Sequence, residues 1–202
     1  MPLFLSGNSG SATLDSSNGL IYPTWTTAGR PTSPATGQCG YNTTIGGVEI
    51  YNGSAWDCIT GGPAFSAYLT ANQTVSGSTF TKITFDTKEF DTANCFDSTT
   101  NYRFTPTVAG YYQINAAVYD YGNATPTRAF CVIYKNGSEY KRGFQQSMVL
   151  SNTSGAGVSS IVYLNGSTDY VELYFYQNSG VSQTLAASIG NTWINGGRRG
   201  VC

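Results

Sequence analysis

The chain reads as an all-β protein, a sandwich of many short strands preceded by an extended N-terminal arm and a small β-meander. Three observations predict this. Strand-forming aromatics are plentiful, with 15 Tyr and 10 Phe in 202 residues, and 24 Gly stand among abundant Ser, Thr and Asn. Such residues suit pleated surfaces and the turns between them. Short apolar and aromatic runs recur from residue 63 onward, punctuated by turn signals, and no segment carries the apolar period of a helix. The hydrophobic content of 40% is enough to bury a core, so the chain is not read as disordered.

Residues 1–20 are rich in Ser, Gly and Asn, with a few apolar residues such as Leu3, Phe4 and Leu5. This composition lacks a core of its own. It fits either a loose tail or an arm that orders on docking. Residues 21–61 open with prolines (Pro23, Pro31, Pro34), which remove backbone donors and favour extended chain. A meander follows. Strands are expected at Gln38–Thr43 and Val48–Tyr51, around a turn at Gly46-Gly47. Asn52-Gly53 signals a two-residue hairpin, with Ser54-Ala55-Trp56 leading the return strand. Three such strands are marginal alone in water, so the module is expected to gain its core from neighbours.

Gly61-Gly62-Pro63 marks the next boundary, and residues 62–202 form the sandwich. Its clearest strands are Phe65–Leu69, Thr81–Phe85, Gly110–Tyr119, Phe130–Tyr134, Ser160–Leu164, Tyr170–Tyr176 and Leu185–Ile194, with turns at Asn136-Gly137 and Asn165-Gly166. Alternation assigns faces. Tyr112, Ile114, Ala116 and Val118 point to the core, against Tyr111, Gln113, Asn115 and Tyr119. Val171, Leu173 and Phe175 likewise oppose Glu172, Tyr174 and Tyr176. The second set in each strand is aromatic and amphipathic. It suits a subunit interface, or else a sheet face of ordinary, partly exposed tyrosines.

Composition also excludes chemistry. The chain has no His, which removes Ser-His-Asp and Cys-His catalysis and every His-containing zinc site. No Walker loop is present, and Gly155-Ala156-Gly157 lacks the strand–helix setting of a dinucleotide site. Ten Lys+Arg balance 11 Asp+Glu for a net charge of −1, so there is no footprint for nucleic acid and no polybasic patch for a membrane. No run is long enough to span a bilayer, and no secretory signal is visible. Five scattered cysteines (Cys39, Cys58, Cys95, Cys131, Cys202) read as free or buried thiols, and Cys39 with Cys58 is the one pair that oxidation could join. Asp86, Glu89, Asp91 and Asp97 are candidate oxygen ligands for Ca²⁺, set against a plain solvated acidic loop. Arg198-Arg199 reads as a solvated or docking pair.

The stretch Phe96-Asp97, Thr99-Thr100, Arg103-Phe104-Thr105-Pro106 and Ala109-Gly110-Tyr111-Tyr112-Gln113-Ile114 resembles the signature of the C1q/tumour-necrosis-factor superfamily. Lys135-Asn136-Gly137 resembles its Asn-Gly hairpin. Val162-Tyr163-Leu164, Gly166 and Asp169-Tyr170-Val171-Glu172-Leu173 resemble its penultimate motif, while the last strand departs. The resemblance implies a C1q-like ten-stranded jelly roll that forms a homotrimer. It also implies that the strands after Gly110 and Asp169 share the sheet facing the threefold axis. Tyr111, Gln113, Tyr174 and Tyr176 are then interface candidates, and Ca²⁺ remains an open ligand.

Residues 25–56, from Trp25 and Arg30-Pro31 through Gly40-Tyr41-Asn42 to Glu49, Tyr51-Asn52-Gly53 and Trp56, are similar to a module of phage tail-fibre and other virion proteins. The two resemblances together imply a non-enzymatic, trimeric surface component of a bacteriophage virion, assembled in the host cytoplasm. It would serve as fibre, knob or capsid decoration, with Leu3, Phe4, Leu5 and Trp25 anchoring it to other virion proteins. The alternatives are an adhesin of the tail that binds a host-surface glycan, and a bacterial extracellular C1q-like binding protein.

Overall fold

A computed structural model describes residues 22–59, 61–120, 126–144 and 154–199. The N-terminal arm, with Leu3, Phe4 and Leu5, and Cys202 lie outside the described residues. The chain divides into two compact units, the first ending at Ile59 and the second running on from there.

The first unit is a four-stranded sheet built from β1 (Thr24–Trp25), β2 (Cys39–Asn42), β3 (Gly47–Tyr51) and β4 (Trp56–Cys58), in that order. The prolines do what their fixed φ dictates: the chain from β1 to β2 runs without a ladder except for one 3-10 turn, Thr27–Gly29. That turn is capped by Thr26 Oγ1, which accepts the Gly29 N–H at 3.1 Å. The sequence expects a two-residue turn at Asn52-Gly53, but the loop holds four residues, since Tyr51 pairs with Trp56. The reason is the Asn52 side chain, whose Oδ1 accepts the N–H of Ser54 (2.9 Å) and of Ala55 (2.8 Å) and so stabilises a wider turn. Cys39 and Cys58 do not pair. They sit on strands either side of β3, opposite Ile50 and Glu49. Two strand spacings of about 4.8 Å each exceed the reach of a disulfide.

The second unit contains β5 (Ala64–Tyr68), β6 (Gln73–Val75), β7 (Thr81–Lys82), β8 (Thr87–Asp91), β9 (Phe96–Asp97), β10 (Arg103–Phe104) and β11 (Gly110–Asp120). It continues with β12 (Ala129–Lys135), β13 (Ser138–Arg142), β14 (Ser154–Leu164), β15 (Val171–Gln177), β16 (Gln183–Leu185) and β17 (Trp193–Arg198). One sheet orders β13-β12-β15-β10-β9, with β7 also on β15. The other orders β6-β16-β11-β17-β5-β8, with β14 along the remaining edge of β11. The all-β sandwich is as expected.

The signature residues build the core between the sheets. Phe65 stacks on Phe96 and Phe104 at 5.0 and 4.3 Å. Tyr112 meets Phe104 edge-on and donates its hydroxyl to the Val108 carbonyl at 2.6 Å. Burial of each such ring is worth about 2–3 kcal/mol, and the buried hydroxyl is satisfied at no net cost. The Asn136-Gly137 turn is the tight hairpin its sequence signals. Lys135 pairs with Ser138, and both turn residues have positive φ, +52° and +76°.

Two strand expectations change. Leu185–Ile194 is not one strand: β16 and β17 are separated by a turn in which Asn191 and Thr192 N–H donate to the Ser188 carbonyl. Only Thr81–Lys82 of the Thr81–Phe85 run enters a ladder, although Ile83 and Phe85 are buried and Ile83 N–H still reaches Leu173 O. The turn expected at Asn165-Gly166 is present, with Gly166 at a φ of +73°. Asn165 Oδ1 accepts three successive N–H groups from Ser167 to Asp169, and the loop carries the chain from one sheet to the other.

Candidate functional site

Alternation in β11 is strict. Tyr112, Ile114, Ala116 and Val118 are buried, and Tyr111, Gln113, Asn115, Ala117 and Tyr119 face out. Because paired residues share a face, the register composes that outer surface row by row. Tyr111 pairs with Tyr163 on β14, and Gln113 pairs with Ile161 on β14 and Gly197 on β17. Asn115 pairs with Ser159 and Asn195, and Asn195 in turn with Ser66, which sits opposite Phe90 on β8. Ala117 lies between Gly157 and Trp193, and Tyr119 closes the face beside Gly155.

The rings at one end meet edge-on, Tyr111 against Tyr163 at 5.4 Å. Tyr111, Tyr163, Ile161, Phe90 and Tyr119 all remain between 41% and 48% exposed, so five large apolar groups on one sheet face are left in water. Between them runs a band of amides and a hydroxyl. Gln113 Nε2 donates to Ser159 Oγ at 2.9 Å, Ser159 Oγ donates to Asn115 Oδ1 at 2.8 Å, and Asn115 Nδ2 donates to Asn195 Oδ1 at 3.1 Å. The band is already cross-linked and so is held in place. Small residues leave two depressions next to the rings, of about 340 Å³ beside Gly197 and about 510 Å³ beside Ala117 and Gly157. None of the paired residues in these rows is charged. With Glu89, Arg198 and Arg142 at the linings of the hollows and none in the paired rows, the aromatic rows and their polar network have the composition of a protein–protein interface core.

Tyr174 and Tyr176 do not belong to this face, which corrects the expectation that their strand shares a sheet with β11. β15 lies in the opposite sheet. There Tyr174 stacks on Tyr134 at 3.9 Å, Tyr176 stacks on Phe130 at 5.1 Å, and Phe80 covers Tyr176 at 5.0 Å. Arg142 lies over the Phe130 and Phe80 rings. These aromatics are covered from within the same unit. Alternation alone makes both strands look alike, because it says which face of a strand is apolar and not which sheet the strand joins. Ser159, Ile161, Tyr163, Phe90 and Asn195 complete this face and were not among the interface residues expected from the sequence. The signal was available for β14, whose alternation extends back to Ser154 past the expected start at Ser160.

The four candidate Ca²⁺ ligands are not brought together. Asp86 accepts the N–H and hydroxyl of Thr70. Asp91 accepts the N–H groups of Cys95 and Phe96, both at 2.9 Å, and pairs with Lys88 at 3.2 Å. Asp97 accepts five hydrogen bonds from Thr99, Thr100 and Asn101, and the backbone N–H groups of Thr100 and Thr99 hold its carboxyl far below the usual carboxylate range. Glu89 is exposed on β8. Among the described residues no three acidic or cysteine side chains converge on a point.

In the first unit the motif residues converge on Glu49, whose side chain is fully buried. Arg30 donates to it through Nε (3.0 Å) and Nη2 (2.5 Å), Trp25 through its indole N–H (2.6 Å) and Asn42 through its amide (2.9 Å). Burial pushes the carboxyl upward, but the hydrogen bonds from Arg30, Trp25 and Asn42 and the Arg30 charge outweigh it and leave it lowered. Gly40 lies beneath Trp25, where a Cβ would sit 2.2 Å from the indole. Trp25 is thus an internal strut of its module, half-buried and packed on Trp56 at 5.0 Å.

No protein-family model matches the chain. Among solved structures, that of murine APRIL matches with a TM-score of 0.52 at 11% identity, over 68% of this chain and 98% of APRIL. The Eiger TNF from S. frugiperda matches with a TM-score of 0.51 at 8% identity, over 70% and 95%. At such identities the likeness concerns the fold, and the larger unit has the TNF-like jelly-roll fold. By sequence, the uncharacterised protein YqcC of Bacillus subtilis (strain 168) is 30% identical over 150 residues, 69% of this chain. The chain spans 40% of that relative's length.

Proposed function

We propose that this chain is a non-enzymatic structural protein of a bacteriophage particle. Its jelly roll forms a homotrimeric surface knob, and its N-terminal segment attaches it to other virion proteins. The observation that carries the reading is the uncharged aromatic face of β11 and β14. Five large apolar side chains around a fixed amide band are costly to leave in water, and packing against copies of the same face removes them. The virion assignment is supported by the first unit. Four of the residues through which it resembles tail-fibre modules, Trp25, Arg30, Asn42 and Glu49, meet in one hydrogen-bonded cluster. The missing His and the fold of the APRIL and Eiger structures accord with a binding or scaffolding role.

Light scattering of the full chain tests this. A mass of three chains is expected, falling to one in a Tyr111→Glu, Ile161→Glu double variant with unchanged circular dichroism. A wild-type monomer overturns the reading. A second reading, that the knob binds host-surface glycan, is favoured by a polar pocket at the β9–β10 loop.

A further inference from the structure

On the second unit, away from the rows of the β11 face, a pocket of about 420 Å³ opens between β8, β9 and β10. Its lining includes Lys88, Asn94, Asp97, Thr99, Asn101 and Arg103, so amides and a hydroxyl stand beside two cations and one carboxylate. Arg103 is the unusual member. Its guanidinium carbon lies over the Tyr170 ring, 4.1 Å from its centre, so the ring covers one side of the group. No side chain or carbonyl among the described residues takes up its N–H groups.

The carboxylates that could do so are committed elsewhere. Asp97 is the cross-strand partner of Arg103, yet its oxygens are filled by five donors from its own loop. Asp91 is bound to Lys88 and to the Cys95 and Phe96 N–H groups. The residue before Arg103, Tyr102, has a φ of +48°, a costly conformation for a bulky side chain.

A planar guanidinium with unoccupied donors recognises a carboxylate through two parallel hydrogen bonds. Amide and hydroxyl groups around it recognise a polyol. We propose that this pocket binds a carboxylate-bearing sugar, with Arg103 on the carboxylate and the Asn and Thr side chains on the ring hydroxyls. The inference rests on the glycan-binding reading, to which it gives a chemical class, and it does not depend on trimer formation.

Calorimetric titration of the full chain with methyl glucuronide, methyl glucoside and inorganic phosphate tests it, alongside a binding assay on whole polysaccharides from host surfaces. Methyl glucuronide is expected to bind and the neutral glucoside to bind about 10- to 100-fold more weakly, the share of a charge-assisted pair. Arg103→Gln should lose affinity for the glucuronide to the same extent, and Arg103→Lys should lose part of it, with the fold checked by circular dichroism. Equal affinity for the two sugars, an unaffected Arg103→Gln variant, or phosphate binding as tightly as glucuronide each overturn the proposal. If host polysaccharide binds regardless of Arg103, the glycan reading stands and this pocket fails. If methyl glucuronide binds but no host polysaccharide does, the pocket stands and the glycan reading fails.

Discussion

Arg30 and Glu49 show how much a single pair can decide in a unit with so little apolar core. Glu49 is fully buried and, among the described residues, Arg30 is its one ionic partner. Removing the cation strands a buried carboxylate, so Arg30→Ala should destabilise the first unit by about 3 kcal/mol. Urea unfolding followed by tryptophan fluorescence reads this, since Trp25 and Trp56 both lie in that unit. The pH dependence has a definite sign. The folded pKa of Glu49 is depressed below its ordinary 4.5. Its contribution is therefore complete above that value and is lost as pH falls through the folded pKa. Wild-type stability should decline on acidification from about pH 5, and a Glu49→Gln variant should start less stable and show a shallower decline. An equal slope in both would mean that other carboxylates, such as Asp97, carry the acid response.

At the scale of elements, turns and registers divide the work. The β12–β13 hairpin is set locally by Asn136-Gly137, and Gly137 at φ +76° is in a region that a Cβ disfavours. Gly137→Ala should cost about 1 kcal/mol, read as a lower urea midpoint with an unchanged slope. The pairing of β11 with β14 is different in kind. Eleven consecutive residue pairs, from Gly110 with Leu164 to Asp120 with Ser154, bring together chain segments more than thirty residues apart. That register puts Tyr163 beside Tyr111 and Ile161 beside Gln113. A shift by one residue would turn every side chain over. The charge-introducing pair Tyr111→Glu, Ile161→Glu sits wholly on the outer face, so it should abolish self-association without lowering the melting temperature of the unit by more than a few degrees.

At the scale of the molecule, the two compact units differ in how their stability is built. The first relies on a polar hub and three aromatic rings, Trp25, Tyr51 and Trp56. The second encloses a core of aromatic and aliphatic side chains drawn from both sheets. A chain beginning at residue 62 is therefore expected to keep its jelly roll and, on the proposed reading, the three-chain mass. A monomeric truncation beside a trimeric full chain would move the self-association to the N-terminal residues.

Much of this protein was legible in its sequence because the information is local. Alternation in β11 and β15, the Asn136-Gly137 turn and the proline-punctuated start of the first unit each rest on a few adjacent residues. So does the burial of Tyr112, while the signature around Phe104 was legible through its resemblance to the C1q/tumour-necrosis-factor superfamily. The tertiary structure decided what depends on partners distant in the chain. It separated β11 from β15, and so left Tyr111 on an open face while Tyr174 and Tyr176 were covered by Tyr134, Phe130 and Phe80. It kept the four acidic residues apart, with Asp86, Asp91 and Asp97 each drawn to nearby donors and Glu89 exposed, and left Arg103 over the Tyr170 ring without an acidic partner among the described residues. The physical reason is the same throughout. A residue's period determines which way it points, but only the sheet it joins determines what it meets there.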